Sequence, residues 1–283
     1  MFKNKVSKKY LWIYLGITFG LSWGLSLIYI LCYKQLSPIF GQLNMSNPLV
    51  VIALNSPSIA GVFVYCIYGG KRSLLQFFKR LIPSLIECRW FIYLLIVSIV
   101  FFVAMHYGSI LFHIPLPKVT LSNNDRLVLL LKNIYEETGL LGGALGWYGF
   151  LLPYMQKQYQ SSIMGGLITG FIFGLFVLPG YVLSSFETAT AYPFYVIQLM
   201  IFSVFIAFIM NMTRGNVLFF VFSFWLVASG SKLQFYNFIE GVQILEIIFF
   251  LIIVIGMYLY YKIVKNKNLN TYSLCFFPDF IEK

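Results

Sequence analysis

The chain has 283 residues, of which 60% are hydrophobic, 19% aromatic and only 10% charged. Soluble domains carry roughly a quarter charged residues, so this composition excludes a water-facing globule and indicates a polytopic membrane protein. The net charge of +11 would suggest nucleic acid in a soluble domain. In a membrane protein the basic residues instead mark cytoplasmic loops, and we expect no nucleic-acid partner.

Apolar runs recur along the chain, and a run of about 20 residues is long enough to cross the bilayer as a helix. They predict eight transmembrane helices, at 10–32, 48–68, 90–112, 127–152, 162–184, 193–212, 216–232 and 243–261. The first run is too long for a signal peptide and has no small-residue cleavage site after it, so we expect a retained span. The prediction is an all-α bundle and a single integral membrane domain over residues 1–283.

The basic residues also predict the orientation. With the N-terminus inside, 15 of the 20 Lys and Arg residues fall on the cytoplasmic side, as the positive-inside tendency requires. The outer side keeps Lys34, Lys118, Arg126, Lys132 and Lys232. Both termini are therefore expected in the cytoplasm. Residues 71–86, KRSLLQFFKRLIPSLI, predict a basic amphipathic segment along the inner headgroups.

Motifs of soluble enzymes do not occur in the sequence: it has no P-loop, GxGxxG, HExxH or GxSxG. The two histidines, His106 and His113, are too few for a multi-histidine metal site, and the four cysteines lack metal-binding spacing. We therefore expect neither a metal nor another cofactor.

Three segments carry a recognisable pattern: GLLGGALGWYGFLLP at 139–153, GLITGFIFGLFVLP at 166–179 and TRGNVL at 213–218. They resemble the three motifs of the CPBP family (CAAX protease and bacteriocin-processing, also called Abi) of glutamic intramembrane proteases. Residues 56–60, SPSIA, and 89–90, RW, look like two further family features. The resemblance covers about residues 10–232, and a last helix and short tail occupy 243–283. It implies a CPBP-like bundle in a bacterial plasma membrane.

In that family, paired glutamates activate water, while histidines and an asparagine hold the water and the developing oxyanion. The positions that carry Glu, Glu, Arg, His, His and Asn in the family hold Gly143, Ala144, Tyr148, Val177, Phe224 and Ala228 here. Gly, Ala, Val and Phe side chains can neither activate water nor donate a hydrogen bond to an oxyanion. The resemblance therefore implies a pseudoprotease that keeps the fold for binding, with no catalytic residue at the family positions.

Small residues are concentrated in the same stretch. Gly142, Gly143, Ala144, Gly146 and Gly149 predict a face that permits close helix packing. We expect the backbone of a neighbouring helix to pack against Gly143, at the position of the missing glutamates.

A second acidic pair, Glu136 and Glu137, precedes Gly143 and Ala144 by seven residues, which is about two helical turns. Other polar residues of the predicted spans lie at a similar outer depth. The candidate outer polar cavity consists of Glu136, Glu137, His106, Asn55, Asn133 and Gln198. Polar groups inside a bilayer are costly and often functional. We expect the charge remaining within the spans to lie in this segment of the fourth helix.

A purely structural interpretation of the same residues stays open. Lys132 and Glu136 have the i,i+4 spacing of a simple helical ion pair, and His106 on an apolar face is typical of a packing residue.

Two functions remain open. The first is a binding or scaffold protein for a membrane-protein, envelope or peptide partner, including bacteriocin self-immunity, which the resemblance suggests. The alternative is an active intramembrane endopeptidase, in which Glu136 or Glu137 acts with His106. A transporter is a weaker third hypothesis, because the sequence has no internal repeat or paired broken helices.

Overall fold

The computed structural model describes residues 7–41, 47–136, 138–183, 190–266 and 268–270, with the backbone alone at 135, 136, 138–141 and 183. These residues form helices and loops, and no strand occurs among them. The helices are α1 (Lys8–Leu31), α2 (Tyr33–Phe40), α3 (Pro48–Lys79), α4 (Arg89–Leu111), α5 (Asn123–Glu136), α6 (Thr138–Gly146), α7 (Leu152–Tyr159), α8 (Ser162–Leu183), α9 (Tyr192–Met212), α10 (Leu218–Lys232) and α11 (Glu240–Ile263). A π-helical turn, Trp147–Leu151, joins α6 to α7.

Six helices of this described part are long and apolar enough to cross a membrane, namely α1, α3, α4, α8, α9 and α11. They correspond to six of the eight predicted spans. The protein is therefore an all-helical, multi-pass membrane protein.

The other two predicted spans differ from expectation. In the predicted span 216–232, only Leu218–Lys232 form a helix, the apolar α10 of 15 residues. The predicted fourth span, 127–152, is not one helix but comprises parts of α5 and α7 with α6 and the π-helical turn between them.

A pair of glycines divides α3 into two parts. Gly69 and Gly70 have non-helical backbone angles, and the φ of +57° at Gly70 is one that glycine adopts without a Cβ clash. The chain from Pro48 to Tyr68 forms the membrane-crossing part, and Lys71–Lys79 continues as a short basic helix. The first half of the predicted segment, 71–86, is thus helical, and its position along the inner headgroups stays a prediction.

Pro153 explains the π-helical turn. Proline has no N–H to donate to the carbonyl four residues earlier, which here belongs to Gly149. The freed carbonyl accepts a hydrogen bond from Nη1 of Arg80 at 2.8 Å, and the Tyr65 hydroxyl lies 3.4 Å away. Arg80 Nε also donates to the carbonyl of Gly215 at 3.0 Å. One buried arginine therefore joins the end of α3, the π-helical turn and the α9–α10 connection.

Glycines set the distances between two pairs of helices. A Cβ atom on Gly146 of α6 would lie 2.2 Å from the carbonyl carbon of Pro57 in α3. On α8, a Cβ atom on Gly170 would lie 2.4 Å from the Cα of Met200 in α9. Close backbone approach of this kind is the usual role of small residues between membrane helices.

The expectation for Gly143 is wrong in detail. A Cβ atom there would meet only the indole of Trp147, at 2.9 Å, on the same helical stretch. The neighbouring backbone packs against Gly146 instead, because Gly146 is the residue on the side facing Pro57.

Hydrogen bonds between distant segments distinguish two ends of the bundle. At one end, the Tyr154 hydroxyl donates to the carbonyl of Ser7 at 3.2 Å, and the Asn211 amide donates to the carbonyl of Leu269 at 3.1 Å. At the other end, Gln234 Oε1 accepts from the backbone N–H of Thr120 at 2.9 Å. The first end, which we call the basic end, carries Lys8, Lys9, Lys71, Arg72, Lys79, Arg80, Arg89, Lys157, Arg214, Lys262 and Lys265. We call the other the loop end.

Candidate functional site

The positions of the first motif are closed by packing. Ala144 and Tyr148 are buried, and the Tyr148 ring stacks on Phe220 with centroids 3.9 Å apart. The Tyr148 hydroxyl is hydrogen-bonded to Ser203 Oγ at 2.8 Å. Trp147 stacks on Phe173 with centroids 5.0 Å apart. Packed aromatic side chains therefore occupy the described first-motif positions.

Val177, at the second-motif position, is half-buried and packs against the same apolar core. The third-motif positions differ, because Phe224 and Ala228 on α10 both line a cavity.

The cavity lies between α9, α10 and α11 and opens toward the loop end. Its volume is about 380 Å³, near the lower limit of small-molecule pockets. Its apolar wall consists of Leu199, Phe202, Phe224, Val227, Ala228 and Phe250. Tyr195, Gln198, Ser231, Lys232, Tyr236, Phe238 and Glu246 complete the lining. An apolar pocket with a few converging polar groups is the usual form of a binding site.

Glu246 is the main polar feature of the cavity. Its side chain is only 1% exposed, and one carboxylate oxygen accepts a hydrogen bond from the Gln198 amide nitrogen. The Tyr236 hydroxyl lies beside the carboxyl group and donates to the carbonyl of Val227 at 3.1 Å. Burial, and then the nearby Glu246, raises the pKa of the Tyr236 phenol well above its usual value, so this residue remains a neutral hydroxyl.

Glu246 corrects the expectation that charge within the spans is confined to the fourth helix. The sequence does contain a signal for it. Gln243 and Glu246 are three residues apart within the otherwise apolar run of α11, so they lie on one helical face. Both are buried, with Gln243 fully inaccessible.

Lys232 is the basic residue of the lining. Its Nζ donates to Asn133 Oδ1 at 2.6 Å, and Asn133 Nδ2 donates to Ser229 Oγ at 2.7 Å. Asn133 of α5 is fully buried and thus positions the lysine at the edge of the cavity.

The residues of the candidate outer polar cavity are only partly brought together. Gln198 lines the cavity, and Asn133 reaches it through Lys232. Asn55 does not: its amide donates to the carbonyl of Val51 at 2.8 Å, and its side chain packs against Gly142. His106 Nδ1 is paired with the carbonyl of Phe235 at 3.1 Å. The side chain of Glu136 and the whole of Glu137 lie outside the described residues.

A metal centre finds no support in the part of the chain that the structure describes, where no three His, Cys, Asp or Glu residues cluster. No family model matches the sequence, and no curated protein is significantly similar to it. The functional argument therefore rests on the cavity itself.

Proposed function

We propose that this protein is a catalytically silent binding protein with a CPBP-like bundle, which holds a membrane-protein, envelope or peptide partner. The observation that carries the proposal is the cavity of α9–α11, whose wall includes Phe224 and Ala228, the third-motif positions. The first-motif positions support it too, because they hold packing side chains and no general base. Bacteriocin self-immunity by capture of a peptide is one use of such a site.

The proposal also includes a place and an orientation: a bacterial plasma membrane, with both termini in the cytoplasm and eight crossings. Clustering of the cations at the basic end supports this orientation. In this arrangement α5, α6 and α7 together make the fourth crossing, and the cavity opens on the outer side.

The orientation can be tested with native cysteines, because Cys32 and Cys88 are both exposed and lie near opposite ends of the bundle. We expect a membrane-impermeant maleimide to label a Cys32-only variant in intact cells. A Cys88-only variant should react only after the membrane is permeabilised. The reverse pattern would invert the proposed topology.

Photo-crosslinking tests the binding function. Benzoylphenylalanine at Phe224 reports on the cavity, and the same residue at Ile252 is a matched control, because Ile252 of α11 is 63% exposed on the outer surface of the bundle. We expect a discrete peptide or protein adduct at position 224 and lipid adducts alone at 252. Identical adducts at the two positions would contradict a binding role for the cavity.

A further inference from the structure

The carboxyl group of Glu246 has no counterion among the residues that the structure describes. In the part of the chain that the structure describes, Glu246 forms no ion pair; the pair found there joins Arg214 to Glu87 at 4.0 Å, at the basic end. A carboxylate within the apolar part of a membrane protein is costly unless a cation or hydrogen-bond donors satisfy it. Gln198 donates to one carboxyl oxygen, and the Tyr236 hydroxyl lies beside the same group. The cavity is therefore the direction from which a cation can approach the carboxylate.

Gln198 adds a second acceptor at the same place. Its amide nitrogen is used by Glu246, and its Oε1 atom is buried with no hydrogen-bond partner among the described residues. A buried amide oxygen without a partner is unfavourable in an apolar environment. Glu246 and Gln198 thus present oxygen acceptors to the cavity, and an ammonium group with three N–H donors is their complement.

The aromatic side chains of the cavity wall also favour an ammonium ligand. The ring centroids of Phe202 and Phe250 are 5.1 Å apart, and those of Phe202 and Phe224 are 6.2 Å apart. Ring faces attract organic cations, and aromatic side chains around an acidic group are a common way to bind an ammonium ion. Leu199, Val227 and Ala228 provide an apolar surface for the body that carries the charge.

Lys232 forms no ion pair with Glu246 among the described residues, although both side chains line the cavity. Its ammonium group donates to Asn133 Oδ1 on α5 at 2.6 Å, whereas Glu246 lies on α11 beside Gln198. The lysine of the cavity and its buried acid therefore have different partners.

We propose that the cavity between α9, α10 and α11 binds an organic ammonium ion, namely a primary amine on a small apolar body, with the amine at Glu246 and Gln198. This inference rests on the proposed binding function and names the chemistry that the partner would present. A lysine side chain or an N-terminal amine of a hydrophobic peptide has that chemistry.

The test uses the purified full-length protein in detergent and two probes of nearly equal shape, 2-phenylethylamine and its neutral counterpart 2-phenylethanol. Equilibrium dialysis against empty micelles corrects for partitioning of each probe. We expect the amine to bind about tenfold more tightly than the alcohol, since a hydrogen bond to a charged group contributes that much. Glu246→Gln should lower amine affinity to that of the alcohol and leave alcohol binding unchanged.

Two further variants keep the result interpretable. Glu240→Gln removes an exposed carboxylate from the first turn of the same helix and should leave both affinities unchanged. Ala228→Leu narrows the cavity without touching Glu246 and should weaken both probes.

Equal affinities of the two probes for the native protein would overturn the inference, and this result does not depend on any variant folding. A preference for the amine that survives in Glu246→Gln would overturn it as well. If the adduct at position 224 forms while the amine preference is absent, the binding function stands and the ammonium site does not. If the amine preference is present without an adduct, the ammonium site stands and the peptide or protein partner does not.

Discussion

The α3–α6 interface and the α9–α11 cavity show two ways of packing apolar residues. At the interface, Gly146 brings the backbone of α6 against that of α3 at Pro57, and Trp147 is buried just beyond it. In the cavity region, Phe202, Phe224 and Phe250 form the walls around an open volume of about 380 Å³. Small residues at the first interface leave no space, whereas large rings at the second keep the helices apart.

The difference shows that a motif and a cavity need not coincide. Most of the motif residues lie in the closed region, where they determine how closely helices approach each other. The cavity depends on Glu246 and Gln198, which lie outside all three motifs. A search for function that followed the motifs alone would therefore stop at a packed interface.

Gly146→Val should have the largest effect, because it acts on the closed region. Its Cβ atom would lie 2.2 Å from the carbonyl carbon and oxygen of Pro57, and this backbone cannot move aside as a flexible side chain can. We expect a loss of stability on the order of 3 kcal/mol, the upper part of the overpacking range. The measurement is the monodisperse fraction in size-exclusion chromatography and the midpoint of unfolding in sodium dodecyl sulfate.

Gly16→Ala is the control, because the space around Gly16 of α1 is open to at least 4 Å. It should leave the unfolding midpoint unchanged or slightly raised, since alanine favours helix more than glycine does. An unchanged midpoint in Gly146→Val would show that α3 and α6 are not in tight contact.

Arg80→Lys should cause the next-largest loss of stability. Arg80 is 9% exposed and joins the carbonyls of Gly149 and Gly215 through separate guanidinium nitrogens. A lysine ammonium cannot reproduce that planar, forked geometry, and one carbonyl would lose its partner. We expect a loss of about 2 kcal/mol in the free energy of unfolding.

Arg72→Lys is the matched control, because Arg72 is exposed on the short helix that ends just before Arg80. Its unfolding midpoint should equal that of the native protein. If both variants lose the same stability, the effect belongs to arginine-to-lysine replacement in general and not to the buried contacts of Arg80.

The sequence predicts much of this architecture because apolar length is a strong signal. Six spans and the start of a separate basic segment at residue 71 follow from composition, whereas the bend at the glycine pair is seen only in the structure. The prediction that the fourth span is a single helix is wrong for a local reason. Pro153 removes one helical hydrogen bond, and Arg80, which compensates, is 69 residues before the Gly149 carbonyl that it binds.

The cavity is harder to predict because it depends on contacts between distant helices. Gln198 stands out in the sequence because it is polar within an apolar span, and it lines the cavity. Glu246 carries the same signal but is missed, because its neighbour Gln243 and the surrounding apolar run suggest a uniform last span. The importance of Glu246 is visible only in the fold. There α9 places the amide of Gln198, which is 48 residues earlier in the chain, beside the Glu246 carboxyl group.

Removal of the hydrogen bond between Tyr148 and Ser203 should cause a smaller loss of stability. Ser203→Ala leaves the buried Tyr148 hydroxyl without the partner that now lies 2.8 Å away. We expect a loss of about 1 to 2 kcal/mol, the cost of an unsatisfied buried hydroxyl group. Adding Tyr148→Phe should recover part of that loss, which a double-mutant cycle of unfolding free energies measures. Additive losses would show that the hydroxyl groups do not interact.

The smallest effect is expected at Asp125, which begins α5 and so helps to hold Asn133 beside the cavity. The Asp125 carboxylate accepts hydrogen bonds from Ser122 Oγ at 2.6 Å and from the Ser122 backbone N–H at 3.2 Å. These bonds lower the pKa of Asp125 below its usual value. Stabilisation of this kind is present above the pKa of the unfolded chain, and it is lost as the pH falls through the lower pKa of the folded protein.

The Tm difference between the native protein and Asp125→Asn should therefore be constant at neutral pH and shrink only below about pH 4. Ser122→Ala removes the hydroxyl donor and should move that decline to higher pH, toward the ordinary carboxyl value. A Tm difference that is independent of pH would mean that the carboxylate does not hold the start of α5. The position of Lys232 at the cavity edge would then depend on buried contacts such as Asn133–Ser229, and the loop end would resemble the closed α3–α6 interface in relying on buried groups.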